Sequence, residues 1–159
     1  IEPAELDLDQ TVDYCLRMVG ERAERSGIVL HKRLPDMVAP LVADGRAARQ
    51  ILLNLLSNAI KFCRTEVIVS AVQCAGELRI TVQDDGIGIP KSELPRIGQA
   101  FEQIRNNPYV ANEGTGLGLA LVKKLVALHR GSFAIESVEG SGTAVTVGFP
   151  LNAATTLAA

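Results

Sequence analysis

Residues 50–62 read Gln50-Ile-Leu-Leu-Asn-Leu-Leu-Ser-Asn-Ala-Ile-Lys-Phe62. Leu52, Leu55, Leu56, Ala59 and Phe62 recur at helical spacing and make one apolar face. Asn54, Asn58 and Lys61 fall at i, i+4 and i+7 and share another face. Asparagine is a poor helix former because its side chain competes for backbone groups, so two of them inside a strongly apolar helix call for a reason. An amide oxygen can ligate a hard divalent cation such as Mg2+, which prefers oxygen ligands and substrate phosphates. A lysine one turn on can meet a phosphate as a point charge. Buried amides making ordinary hydrogen bonds explain the pair equally well at this point.

Around this helix, which Asp44 opens, the pattern alternates between strand and helix signals. Residues 6–8 suit a short first strand. Asp9 is the expected N-cap of an amphipathic helix that runs to Ser26. Residues 28–34 alternate as a strand that Pro35 limits, and 38–42 suit another short extended piece. Residues 66–73 and 77–83 predict a hairpin with a slightly irregular turn at Ala75-Gly76. After a glycine-rich turn at 84–90, residues 91–116 show little periodicity, which in a compact domain marks a functional or disordered segment. A helix at 117–129 and a hairpin from 132–138 and 143–149 close the fold, and 152–159 is expected to be a flexible C-terminal tail. Because the strands join largely by hairpins, the class is α+β. The expected architecture is a two-layer α/β sandwich: a mixed, mostly antiparallel sheet covered on one face by about three helices.

Bulk properties agree with one domain, placed at residues 1–151. The chain has 159 residues and is 47% hydrophobic, enough for a core without metals or disulfides. A formal charge of -2 gives no reason to expect a nucleic-acid surface. The odd count of three cysteines, Cys15, Cys63 and Cys74, argues against a disulfide framework and suggests reduced core or near-core thiols in a cytoplasmic setting. No stretch approaches 18 apolar residues, so no direct membrane insertion is expected of this piece. A start at Ile1 rather than methionine suggests a fragment of a longer protein, whose parent can still be anchored in an inner membrane.

Two glycine-rich loops add to the asparagine helix. Asp84-Asp-Gly-Ile-Gly-Ile-Pro90 follows a predicted strand directly. Gly86 and Gly88 permit tight turning or a close backbone approach to a ligand. Asp84, at the strand end, can accept a hydrogen bond from an exocyclic amine such as adenine's. The loop lacks the twelve-residue spacing of a calcium loop, and a simple turn accounts for it about as well. Gly114-Thr-Gly-Leu-Gly-Leu119 precedes the last long helix. Its glycines free backbone N–H groups to line an anion, and the helix N-terminus adds its dipole. It is neither a P-loop nor a convincing dinucleotide fingerprint. A metal ligand with a lysine, an amine acceptor and a phosphate cradle flank one long polar segment that could close as a lid. Their coincidence favours a nucleotide site.

In that order and combination the motifs resemble the catalytic and ATP-binding domain of bacterial two-component sensor histidine kinases, the Bergerat fold, over essentially the whole chain. Residues 50–62 look like its N box, 84–88 its first glycine box and Phe101-Glu102 its F box. Residues 114–119 look like its second glycine box, and Gly140-Ser-Gly-Thr143 its closing glycine turn. The resemblance implies ATP and Mg2+ as cofactors, with Asn58 as the metal ligand and Lys61 on a phosphate. Asp84 would accept from the adenine amine with Gly86 and Gly88 near the base. Gly114, Gly116 and Gly118 would wrap the phosphates, beside Thr115, Leu117 and Leu119 as packing or backbone contributors. Phe101 would anchor a lid in which Arg105 is a candidate extra phosphate contact. Asn54 stands where related ATPases carry a general-base glutamate; an amide cannot act as that base, which favours a kinase.

The implied reaction transfers the γ-phosphoryl group of ATP to a histidine on a dimerising helical hairpin upstream, absent here. His31 and His129 are not its acceptor: His31 reads as a surface strand residue and His129 as a helix end aided by the dipole. The implied partners are that hairpin, a second copy of the parent as homodimer, and a response regulator. Gly98 and Ala100 replace a phenylalanine and a proline common in the F box, and His129-Arg130-Gly131 replaces His-Gly-Gly. A similar Ile-Gly form occurs in some alphaproteobacterial kinases of cell-cycle control. These departures bear on the rate of phosphotransfer and leave as an alternative a degenerate kinase acting as a protein-binding scaffold; a serine-directed kinase of the same superfamily, which would share the boxes, is the other alternative.

Overall fold

The structure is a computed structural model that describes residues 1–97 and 118–151. In chain order its elements are β1 (Pro3–Leu6), α1 (Leu8–Arg25), β2 (Val29–Arg33), β3 (Leu41–Asp44), α2 (Gly45–Phe62), β4 (Glu66–Cys74) and β5 (Glu77–Asp84). After them come a short 3-10 turn at Leu94–Arg96, α3 (Gly118–Leu128), β6 (Ser132–Val138) and β7 (Gly142–Pro150). Five strands form one sheet in the order β2-β4-β5-β7-β6, and β1 pairs with β3 in a separate two-stranded ribbon. The β2–β4 pair is parallel and the remaining pairs are antiparallel, so the sheet is mixed and mostly antiparallel as predicted.

Strand alternation sets the two faces of the sheet. Val67 and Val69 of β4, Leu78, Ile80 and Val82 of β5, and Val145, Val147 and Phe149 of β7 are buried on the inner face. Register stacks them across the strands: Val69 opposite Val82, Val82 opposite Val145, Leu78 opposite Phe149. On the other face Thr81 and Thr146 share a hydrogen bond of 2.8 Å between their hydroxyls. The three helices cover the inner face. α2 lies between α1 and α3 and buries Ala47, Ala48, Ile51, Leu52, Leu55, Leu56, Ala59 and Ile60. Each buried leucine or isoleucine there contributes roughly 1.5–3 kcal/mol. No helix among the described residues is long and apolar enough to cross a membrane.

Several local expectations shift. The first helix is capped by Asp7, not Asp9: the Asp7 carboxylate accepts from the Gln10 N–H at 2.9 Å. Starting at Leu8 lets Leu8, Val12, Cys15, Val19 and Ala23 form the buried stripe, and Asp9 is left to pair with Lys32 at 2.6 Å. The first strand accordingly lies at Pro3–Leu6, and the short extended piece after Pro35 lies at Leu41–Asp44, where the two can pair. The β4–β5 turn is a two-residue loop in which Ala75 and Gly76 both have positive φ, the twist that hairpins favour. Cys15 is buried and Cys63 half-buried, but Cys74 is exposed, not near the core. Burial pushes the thiols of Cys15 and Cys63 up to about 11.

His129 also differs from its expected place as a helix end aided by the dipole. Its ring is 9% exposed and meets the Phe149 ring edge-on with centroids 5.5 Å apart. Nε2 accepts from the Asp44 N–H at 3.0 Å, so Nδ1 carries the proton and donates to the Leu125 carbonyl at 2.7 Å. The imidazole thus pins the end of α3 to the start of α2. His31 is half-buried on β2, 3.0 Å from the Glu66 carboxylate. The tail at 152–159 lies outside the described residues.

Candidate functional site

α2 is the spine of the site. Asp44 caps it by accepting from the Ala47 N–H at 3.0 Å, and the buried stripe fixes its rotation. That rotation leaves Asn54, Asn58 and Lys61 half-buried on the side away from the core stripe. Gln50 donates from Nε2 to Asn54 Oδ1 at 3.2 Å. The Lys61 ammonium stands 5.3 Å from the centre of the Phe62 ring. Asn58 faces the start of α3: a methyl group placed on Gly118 would lie 3.6 Å from Asn58 Nδ2 and 3.9 Å from Oδ1. Leu119, next along α3, packs against the core.

The first glycine loop closes on the other end of the same helix. A side chain on Gly86 would meet the Phe62 carbonyl oxygen at 1.9 Å, so backbone lies against backbone there. The Ile87 N–H donates to that carbonyl at 3.3 Å. Gly88 has φ +69 and a methyl on it would come within 2.1 Å of the Val138 carbonyl oxygen. The loop is therefore held between the C-terminus of α2 and the β6–β7 turn, with Phe62, Ile87, Ile89, Leu94, Ile97 and Ile135 packed as a small second core beneath it.

Asp84 ends β5 at the base of this loop. Its Oδ1 accepts from the Gly86 N–H at 2.9 Å. Burial pushes its carboxyl up to about 6, opposed by the Gly86 and Thr143 N–H groups and reinforced by the charge of Asp85. A raised carboxyl binds its proton more tightly in the folded chain than in the unfolded one. The destabilisation from the buried charge is therefore absent below the ordinary value of 3.8, grows as pH rises, and is complete above about 6. Asp84→Asn removes the charge at nearly constant shape. The variant is expected to melt above the parent at about pH 8, with a gap that closes as pH falls from about 6 to about 4. Thermal melts across that range check this; a gap independent of pH contradicts the buried-charge account.

Asp85, beside it, was not singled out by sequence and has a different task. Desolvation is the largest single influence and pushes its carboxyl up. The Thr65 hydroxyl and the N–H groups of Thr65, Arg64 and Glu66 together outweigh that, so the carboxyl is held well below its ordinary value. The N–H groups of Arg64 and Thr65 both donate to Oδ1 at 3.0 Å. Asp85 thereby clasps the link between α2 and β4 to the glycine loop. The adjacent Asp-Asp was its only trace in the sequence, and its partners lie about twenty residues upstream.

The described residues thus bring Asn58 and Gly118 into contact range, and Asp84, Gly86 and Gly88 against the end of the same helix. Among the described residues no group of three or more His, Cys, Asp or Glu forms a cage for a metal ion. The oxygen donor that Asn58 offers fits Mg2+, which keeps waters and relies on substrate phosphates to complete its shell. Phe101, Arg105, Gly114, Thr115, Gly116 and Leu117 lie outside the described residues. An open cavity of about 840 Å³ between β1, α1 and residues 34–40 includes none of the predicted site residues.

Comparison with known proteins bears on this arrangement. Residues 43–153 match the model of the histidine kinase-, DNA gyrase B- and HSP90-like ATPases. An uncharacterised sensor-like histidine kinase of Rhizobium meliloti is 42% identical over 91% of this chain, which spans 28% of that protein. The histidine protein kinase DivJ of Caulobacter vibrioides is 39% identical over 96% of this chain, which spans 26% of it. The crystal structure of full-length ShkA in complex with AMPPNP superposes with a TM-score of 0.84 at 30% identity, covering 94% of this chain and 32% of that one. The nucleotide-free catalytic domain of the histidine kinase ThkA superposes with a TM-score of 0.82 at 22% identity over 94% of this chain and 96% of that one, a likeness of fold. The chain belongs to the histidine kinase-, DNA gyrase B- and HSP90-like ATPases, as a catalytic domain of the sensor histidine kinase type.

Proposed function

We propose that residues 1–151 bind Mg-ATP and present its γ-phosphoryl group to a histidine on a separate helical hairpin. The observation that carries this reading is the placement along α2: Asn58 beside Gly118 at the head of α3, and Phe62 one turn later against Gly86. A nucleotide laid along that face has its base at Asp84 and its phosphates at Asn58 and the α3 N-terminus.

In this reading Asp84 accepts from the adenine amine, and Gly86 and Gly88 let the backbone lie close to the base. Asn58 ligates Mg2+, which when bound neutralises phosphate charge. Lys61 turns from the Phe62 ring to a phosphate. Gly114, Thr115, Gly116, Leu117, Gly118 and Leu119 form the phosphate wrap, where backbone N–H groups and the helix dipole favour an anion. Phe101 and Arg105 belong to the lid. Asn54 offers an amide rather than a base, so water is not activated for hydrolysis. Catalysis is then positioning and charge neutralisation: a P–N bond forms to the histidine as the bond to the bridging oxygen of ADP breaks.

The acceptor hairpin, a dimeric parent and a response regulator are the partners of this reading. It is tested by supplying the chain with γ-labelled ATP, Mg2+ and a separately made acceptor hairpin from the parent protein. Acid-labile label on the hairpin, and none on the chain alone, is expected. Nucleotide binding without transfer to the hairpin points instead to a scaffold that has kept its ligand and lost its chemistry.

A further inference from the structure

We propose that Ser137 is a positioning residue of base recognition, holding the loop after Asp84 in the geometry that selects adenine. The proposal rests on the reading of Asp84 as the acceptor of the adenine amine.

Ser137, Thr143 and Asp84 stand side by side on three adjacent strands: Ser137 is opposite Thr143, and Thr143 is opposite Asp84. Ser137 Oγ has three partners: the Ile89 N–H at 2.7 Å, the Gly142 carbonyl at 3.0 Å and Thr143 Oγ1 at 2.7 Å. A hydroxyl has one proton and two lone pairs. The amide can only donate and the carbonyl can only accept, so the Ser137 proton goes to Gly142 and Thr143 Oγ1 must donate. Every hydrogen-bonding site of Ser137 is then used. Thr143 in turn sits opposite Asp84 in the β5–β7 register, and the Asp84 carboxylate accepts from the Gly86 N–H at 2.9 Å. Hydrogen bonds from Ile89 through Ser137 to Thr143, and strand pairing from Thr143 to Asp84, thus tie the far side of the glycines to the strand end before them.

Gly86 and Gly88 bring no side chains to hold the loop, so its grip beyond Gly88 depends on backbone bonds and on the packing of Ile87 and Ile89. The α2 side holds it by the longer 3.3 Å bond from Ile87 to Phe62, and the β6–β7 turn by the Gly140 N–H on the Ile87 carbonyl at 2.7 Å. Ser137 fixes the next residue but one, through the Ile89 N–H at 2.7 Å. Without the hydroxyl the Ile89 N–H and Thr143 Oγ1 both lose a partner. The loop then moves relative to Asp84, while Asn58 and the start of α3, which hold the phosphate end, are untouched.

The test compares parent, Ser137→Ala and Ser137→Thr with two non-hydrolysable Mg-triphosphates, one carrying adenine and one hypoxanthine, which lacks the exocyclic amine. The parent is expected to prefer adenine. Ser137→Ala is expected to lose about tenfold in affinity for the adenine analogue, about 1.4 kcal/mol, and little for the hypoxanthine one, so the preference collapses. Ser137→Thr, which keeps the hydroxyl, is expected to keep the preference. Amide exchange at Ile89 should quicken in the alanine variant alone. Equal loss of both analogues, an unchanged preference in Ser137→Ala, or equal collapse in both variants overturns the proposal while leaving Asp84 its role. A parent with no preference for adenine overturns the reading of Asp84 itself, and the positioning role with it.

Discussion

Asn58→Ala is expected to lower the affinity for a Mg-ATP analogue by about a hundredfold, since even loss of an outer-shell partner of a metal ligand costs roughly ten- to a hundredfold, with no loss of fold. The two halves of this expectation have separate causes. Asn58 is half-buried, off the core stripe of α2. Alanine is the better helix former there by up to about 0.7 kcal/mol, so the melting temperature should hold or rise slightly. The affinity, in contrast, depends on the one oxygen donor on α2 that lies beside the start of α3. The deficit should also need the metal. In excess chelator the parent should bind weakly and differ little from the variant. Titrations with and without Mg2+ check this; a hundredfold gap that survives chelation would mean that Asn58 contacts the nucleotide directly and holds no metal.

Gly86→Ala is the second large effect, and it acts on fold and ligand together. The added methyl would sit 1.9 Å from the Phe62 carbonyl oxygen and 2.7 Å from its carbon, backbone atoms that no rotamer can move aside. The loop must lift from the end of α2, with loss of the Ile87 bond to Phe62 and of packing around Ile89. Overpacking of this kind destabilises by about 3 kcal/mol, the upper part of its usual range, which in a domain of this size lowers the melting temperature by about 10 °C. Nucleotide affinity should fall below detection, since the loop no longer lies against the end of α2 beside Asp84. Gly118→Ala is the control: among the described residues its methyl meets only ordinary contacts at 3.6 Å or more, so the chain should melt like the parent. A Gly86→Ala chain that melts like the parent would contradict the close approach.

The sequence carried the parts of the fold that are periodic. α2 was legible because its apolar stripe and its Asp44 cap are local, and β5 because its buried positions alternate. The order of the asparagine helix and glycine loops was legible for the same reason, and so was the family. What escaped is bonded at long range. Ser137 reaches Ile89 across 48 residues and His129 reaches Asp44 across 85, and no periodicity encodes such pairs. Asp85 shows its role only with the link between α2 and β4 folded against it. The start of α1 was misplaced by two residues because Asp7 and Asp9 are equally good caps by type. Only the burial of Leu8 decides between them.

The central claim is that the face of α2 between Asp84 and Gly118 is a nucleotide site. Calorimetric titration of the chain with a non-hydrolysable ATP analogue and Mg2+ tests it most directly. One site is expected, with an affinity between micromolar and sub-millimolar, roughly -8 to -5 kcal/mol, weakened in Asn58→Ala and in Asp84→Asn. A folded parent chain that shows no binding in that range would contradict it.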